Sequence, residues 1–426
     1  MQAIVKPSVI SGTIVAPASK SAMQRACAAS LIRKGVTVLH NPGRSADDQA
    51  ALDIIRQLGA RINDNGSAIT IESNGIDPVN SVINCGESGL SVRMFTPIAA
   101  LSPLSITVMG SGSLLKRPLG FFNEVLPELK VNCSSNEGML PLHIQGPLVP
   151  KNIQIDGSLS SQFLTGILFS YSAAGANNVT VEVQNLNSKP YIDLTLKVLR
   201  DFGLNTPENN NYSSFHFNGQ PNVTSNESIL NYTVEGDWSG GAFLLVAGAI
   251  AGDSTVKGLD INSKQADQAI LQALKKAGVD LQIESEFIHV RKGELNAFQF
   301  NATDCPDLFP PLVALAACCK GATTIEGVHR LTHKESNRAL TLQEEYHKMG
   351  IKISFEKDNM IINGGEITGT MVQSHHDHRI AMACAVSALR ATETMVINEA
   401  QAVNKSYPDF WRHLQQLAGT VSLKQN

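Results

Sequence analysis

Leu58-Gly59-Ala60-Arg61-Ile62 ends a stretch of helix-like apolar spacing with a glycine and restarts in the alternation of a strand. Phe202-Gly203-Leu204, Ala277-Gly278-Val279-Asp280-Leu281 and Met349-Gly350-Ile351-Lys352-Ile353 repeat the pattern. Leu129-Lys130-Val131, without the glycine, and Ala418-Gly419-Thr420-Val421 complete the set. Each glycine is expected to supply the left-handed backbone that ends a helix at little cost. The joints recur about every 70 residues through a chain of 426. Six copies of one α/β unit therefore fill it. That period exceeds the 20–50 residues of solenoid repeats, so two compact groups of units are expected rather than an extended array. One boundary is placed near Gly236, after the Asn/Ser-rich stretch Asn205–Asn231, and a second crossing near Pro17.

Composition narrows the function classes. Apolar residues make up 43% and charged residues 17% of the chain, which excludes disordered and collagen-like proteins. A net charge of −4 supplies no global basic field for nucleic acid or an anionic membrane. Aromatics at 5% leave little to stack on bases. The seven cysteines (27, 85, 133, 305, 318, 319 and 384) form no C-x-x-C pair, so they read as reduced thiols rather than a disulfide framework or zinc site. Met1 to Ile14 lack the order of a signal peptide. The longest apolar runs, 241–252 and 310–319, fall short of the ~20 residues that span a bilayer. The expectation is a cytoplasmic monomer with small-molecule partners and no nucleic acid or membrane.

Cations and hydroxyls gather where helices should start. In Pro17-Ala18-Ser19-Lys20-Ser21-Ala22-Met23-Gln24-Arg25, a capping serine precedes Lys20, Ser21 and Arg25. Free N–H groups and cations at a helix start make an anion site, although the Walker A frame is missing. Gly86-Glu87-Ser88-Gly89-Leu90-Ser91-Val92-Arg93 is a glycine loop that lets amides approach an oxyanion before an apolar helix over 94–101. The turn from Gly110 through Ser113 to Lys116-Arg117-Pro118 ends in two cations. Asp156-Gly157-Ser158-Leu159-Ser160-Ser161-Gln162 carries more hydroxyls than one cap needs. Ser188-Lys189-Pro190-Tyr191 reads as a turn before a helix over 192–202.

The second half supplies carboxylates. Asp304-Cys305-Pro306-Asp307 precedes an apolar helix over 309–319. In His333-Lys334-Glu335-Ser336-Asn337-Arg338, Lys334 and Arg338 share a face if helical. His375-His376-Asp377-His378-Arg379 opens a helix over 380–389, and Lys405 lies in a late loop. Ligands this close in sequence cannot all converge on one ion, and no H-E-x-x-H appears, so no metal is expected. Each motif alone also fits an ordinary cap or solvated turn. Together, Lys20, Arg25, Arg93, Arg117, Lys334, Arg338, Arg379 and Lys405 suit several phosphates and carboxylates, with Asp307 and Glu335 available for proton transfer.

In this order the motifs resemble the 3-phosphoshikimate 1-carboxyvinyltransferase (EPSP synthase) family over nearly the whole chain, from Ser19-Lys20-Ser21 to Lys405-Ser406-Tyr407-Pro408-Asp409. The resemblance implies an α/β fold, a two-domain inside-out α/β barrel of six βαβαββ repeats, three per domain. Residues 19–235 would form one domain, 1–18 with 236–426 the other, with the active site in the cleft between. It implies transfer of the enolpyruvyl group of phosphoenolpyruvate to the 5-hydroxyl of shikimate 3-phosphate, without a cofactor. Carried over by motif, Lys20, Ser21, Arg25, Ser160, Ser161, Gln162, Ser188 and Tyr191 would bind shikimate 3-phosphate, with Asp307 and Lys334. Lys20, Gly89, Arg117, Gln162, Arg338, Arg379 and Lys405 would bind phosphoenolpyruvate. Asp307, Glu335, Lys20, Lys405 and His378 would serve catalysis, Asp307 near the attacking hydroxyl and Glu335 near C3.

The sequence departs from the family pattern at three places. Glu87 stands where a neutral amide is usual, Ser113 where an arginine is common, and Arg330 where an asparagine often contacts substrate. Two other readings compete with this one. UDP-N-acetylglucosamine enolpyruvyl transferases usually carry a cysteine in the loop matching 110–118, and none occurs here. A non-catalytic anion-binding scaffold of the same fold would be expected to lose Lys20, Asp307, Glu335, Arg379 or Lys405, and all are present.

Overall fold

A computed structural model describes residues 1–219, 229–332 and 334–425. Part of the stretch Asn205–Asn231, and His333, lie outside the described residues.

The six joints share one set of hydrogen bonds. Gly59 N–H donates to Arg56 O and Ala60 N–H to Ile55 O; Lys130 and Val131 do the same to Pro127 and Leu126. The pattern repeats at Gly203, Gly278 and Gly350, each left-handed. Paired bonds of this kind satisfy the last carbonyls of a helix. The sixth joint corrects the reading. There the left-handed residue is Ala418 (φ 64°), and Gly419 takes the following position, bonded to Leu414 O. The geometry is repeated, even where Lys130 (φ 64°) or Ala418 must adopt it.

Chain packing divides the molecule into two units, Met1–Ser19 with Glu235–Asn426, and Lys20–Val234. Among the described residues, each holds three four-stranded sheets of one topology. In the example Val82–Asn84, Ser105–Met109, Met139–Gln145 and Asn132–Asn136, the first pair is parallel and the other two are antiparallel. The expected six βαβαββ repeats are present, three in each unit. They do not all follow chain order. Ile229–Thr233 returns beside Gly35–His40 to complete the first sheet of its unit. Ile10–Val15 lies beside Gly252–Lys257, and Gln2–Lys6 sits between Met395–Asn398 and Thr420–Lys424.

In each repeat the first helix is buried almost all round. Every residue of Gly89–Ala99, Phe309–Ala317 and His378–Ala388 is buried, and all of Trp238–Ala251 but Ser239. A helix without a polar face is stable only inside, so these helices form the centre of each unit. Second helices such as Lys189–Asp201 bury one stripe only. Close approach needs small residues: a Cβ on Gly166 would lie 2.7 Å from Pro97 and 3.1 Å from Met94. Among the described residues, no helix is long and apolar enough to cross a membrane.

Candidate active site

Five of the motifs, at 17–25, 86–93, 156–162, 304–307 and 375–379, open inner helices, and the two units cap those helices differently. In Lys20–Val234 the caps are neutral. Ser88 Oγ accepts from Ser91 N at 3.1 Å and Ser160 Oγ from Gln162 N at 3.3 Å. A neutral cap leaves the helix end positive and receptive to anions. Side-chain hydrogen bonds to two glutamines also join the helix starts. Ser88 and Ser91 hydroxyls donate to Gln24 Oε1 at 3.0 and 3.1 Å, and Arg93 Nη1 donates to Gln162 Oε1 at 2.9 Å. The Arg93 guanidinium lies 5.1 Å over the Phe163 ring. A Cβ on Gly89 would collide with Arg117 Nη1 and approach Arg93 Nη1 to 3.1 Å. Two guanidiniums thus converge over one glycine at a helix start.

Arg25, expected at a substrate anion, lies inside its unit. Its side chain is buried, donating to Thr195 Oγ1 (2.9 Å), Ser21 O (2.8 Å) and Tyr191 O (3.3 Å). It ties helix Lys20–Ile32 to helix Lys189–Asp201, and burial among neutral acceptors lowers its guanidinium to about 10. The second of these helices starts at Lys189, with Ser188 left-handed before it (φ 57°), so Tyr191 lies in its first turn. Lys20 Nζ pairs with Asp47 Oδ2 at 2.7 Å. The adjacent Asp48 is buried and accepts from Ser45 N and Oγ; burial pushes its carboxyl up to about 6.

In the other unit carboxylates cap two of the three inner helices. Asp237 accepts from Ser239 N at 3.0 Å and Asp377 from Arg379 N at 2.9 Å, while Asp307 occupies the 3-10 turn Pro306–Leu308 before Phe309–Ala317. Asp307 Oδ1 accepts from Lys334 Nζ (3.1 Å) and Arg338 Nη1 (2.9 Å), and Oδ2 from Arg379 Nη2 (3.0 Å). Burial alone would raise the Asp307 carboxyl; Arg379, Lys334 and Arg338 together hold it well below the usual range. Glu335 Oε2 accepts from Arg338 Nη2 at 2.6 Å, and its Oε1 lies 3.7 Å from Lys405 Nζ. Asp377 Oδ2 accepts from Arg338 Nε (3.0 Å) and Ser336 Oγ (3.1 Å). Arg338 therefore holds three carboxylates with no side-chain exposure. Its helix begins only at Arg338, so Lys334 and Arg338 meet through Asp307 rather than along one helical face.

Sequence reasoning passed over Asp267. It is buried beside Ser239, whose hydroxyl donates to it; burial first, and then Asp307, push its carboxyl up to about 7. A single aspartate in a plain turn gives no local signal. The three histidines part company, His375 Nε2 to Glu345 (2.7 Å), His376 Nε2 to Glu399 (2.9 Å) and His378 Nδ1 3.8 Å from Asp377. Among the described residues, Glu344, Glu345 and His375 are the one trio with ligand atoms close enough for a metal. The Lys348 ammonium already bonds both glutamates.

A family model described as EPSP synthase (3-phosphoshikimate 1-carboxyvinyltransferase) matches residues 4–414. The chain belongs to the EPSP synthase family. It is 34% identical over 426 residues to the 3-phosphoshikimate 1-carboxyvinyltransferase of Clostridium novyi (strain NT), covering 97% of each chain. It is 36% identical to that of Clostridium perfringens (strain SM101), covering 98% of each. The solved EPSP synthase of Acinetobacter baumannii superposes with a TM-score of 0.83 at 26% identity, with complete coverage of both chains. The enolpyruvyl transferase NikO from Streptomyces tendae shares the fold, with a TM-score of 0.76 at 16% identity over 99% of this chain and 98% of its own. All three departures from the EPSP synthase pattern have partners here. Glu87 accepts from Ser113 N and Oγ, and Arg330 lies in the turn Val328–Leu331 within electrostatic reach of Asp304 and Asp307.

Proposed function

We propose that this chain transfers the enolpyruvyl group of phosphoenolpyruvate to the 5-hydroxyl of shikimate 3-phosphate and releases phosphate, a step in aromatic amino acid biosynthesis. In the addition, C3 of the enol gains a proton, C2 becomes electron-poor, and the hydroxyl oxygen attacks C2 as it loses its own proton. In the elimination, C3 gives a proton back and the C2–O bond to phosphate breaks, phosphate leaving with the electron pair. The chemistry needs a base at the hydroxyl, an acid at C3, and cations for two phosphates and the carboxylates.

The observation that carries this reading is that Asp307 and Glu335 are both held by the buried Arg338. Asp307, ionised beside its three cations, is the carboxylate this reading assigns to the hydroxyl proton. Glu335, between Arg338 and Lys405, suits proton delivery to C3, with His378 in support. Lys20, Gly89, Arg117, Gln162, Arg338, Arg379 and Lys405 take phosphoenolpyruvate in this reading. Lys20, Ser21, Ser160, Ser161, Gln162, Ser188, Tyr191 and Lys334 take shikimate 3-phosphate, with Arg25 holding Ser21 and Tyr191 in place through their carbonyls.

Phosphate release tests it. With phosphoenolpyruvate present, release is expected with shikimate 3-phosphate and not with UDP-N-acetylglucosamine. Release with the nucleotide sugar instead, or with neither acceptor, rejects the reading.

A further inference from the structure

The turn that opens helix Gly89–Ala99 carries a carboxylate two residues from the glycine beneath Arg117. A negative charge there opposes anion binding unless the structure uses it, and the hydrogen bonds show a use. Glu87 Oε2 accepts from both Ser113 N and Ser113 Oγ at 3.1 Å. Ser111 N also donates to Gly86 O at 2.7 Å. These bonds staple the 3-10 turn Gly112–Lys116 to residues 86–87. Leu114, fully buried, anchors the turn from below, and Arg117 N–H closes it on Leu114 O at 3.1 Å. Arg117 then leaves in extended backbone (φ −90°, ψ 132°), its Nη1 over Gly89. Gly112 completes the fit: it is left-handed (φ 54°), and a Cβ there would run into the Glu87 carboxyl.

We propose that Glu87 is a positioning residue for phosphoenolpyruvate binding: its carboxylate fixes the turn Gly112–Lys116 and thereby holds the Arg117 guanidinium over Gly89. The proposal rests on the reading of Gly89 and Arg117 as phosphoenolpyruvate contacts. A hydrogen bond to a charged acceptor orients a loop strongly, and a cation displaced by an ångström loses much of its hold on an anion. The effect should therefore fall on one substrate.

Steady-state kinetics of the full chain test this. Glu87→Ala is expected to raise KM for phosphoenolpyruvate about tenfold, leaving KM for shikimate 3-phosphate and kcat within about twofold. Glu87→Gln keeps an acceptor oxygen for Ser113 and should bring KM back to within about threefold of the parent. In an Arg117→Ala background, Glu87→Ala should add less than about twofold, because the group it positions is gone. Gly112→Ala displaces the carboxyl from the opposite side and should reproduce the same split, so the test holds even if Glu87→Ala does not fold. Unchanged KM, equal rises for both substrates, or full additivity with Arg117→Ala would overturn the positioning role. An unchanged phosphoenolpyruvate KM in Arg117→Ala alone would instead overturn the site reading, and the proposal with it.

Discussion

Arg338 is a buried cation surrounded by three carboxylates, and the arrangement separates chemistry from stability at neighbouring positions. Removing one partner of a buried ion pair is destabilising when it leaves the other charge alone. Glu335→Gln does not do that, because Asp307 and Asp377 still neutralise Arg338. This variant is therefore expected to keep its thermal midpoint within a few degrees while turnover falls about 10²–10⁴-fold. Near-normal turnover would reject Glu335 as the proton donor. Asp48 gives a pH prediction of unusual sign. Its carboxyl rises from 3.8 to about 6 on folding, so the unfolded chain ionises first as pH climbs. Its contribution to stability falls between about pH 4 and 6, by roughly 2–3 kcal/mol, and is flat above. Asp48→Asn should lack that fall. Urea midpoints from pH 4 to 7 would show it as a widening gap between variant and parent; parallel curves would contradict it.

The recurring element is the helix closure, and two of its six copies use a residue ill suited to it. Lys130 and Ala418 occupy left-handed backbone, which disfavours any residue with a Cβ. Lys130→Gly and Ala418→Gly should each stabilise the protein by about 0.5–1 kcal/mol, with no change in turnover. Destabilisation in chemical denaturation would show that side-chain packing outweighs backbone strain at these joints. Gly419 earns its place differently. A Cβ there would sit 2.6 Å from Leu414 O, the carbonyl its own N–H bonds. That glycine marks close approach, which is why a reading based on left-handed glycines slips by one residue in the last copy.

Across the molecule, the sheets depend on strands far apart in the chain. Gln2–Lys6 is an interior strand of the sheet formed with Met395–Asn398 and Thr420–Lys424. Deleting residues 1–6 should unfold the unit containing Glu235–Asn426, while Lys20–Val234 keeps its three complete sheets. Limited proteolysis should then leave a protected fragment near residues 20–234; protection of both units would refute the dependence. The repeat, the helix caps and the clustering of cations and hydroxyls at helix starts were legible in the sequence. They rest on bonds spanning five residues or fewer, such as Ala60 to Ile55 or Ser91 to Ser88. Tertiary structure alone decided that Arg25 binds Thr195, that Asp267 sits beside Ser239, and that Glu87 holds Ser113. Those partners lie 170, 28 and 26 residues apart. Local periodicity carries no information about which distant side chain a buried charge will meet; closure of the repeats within each unit supplies it.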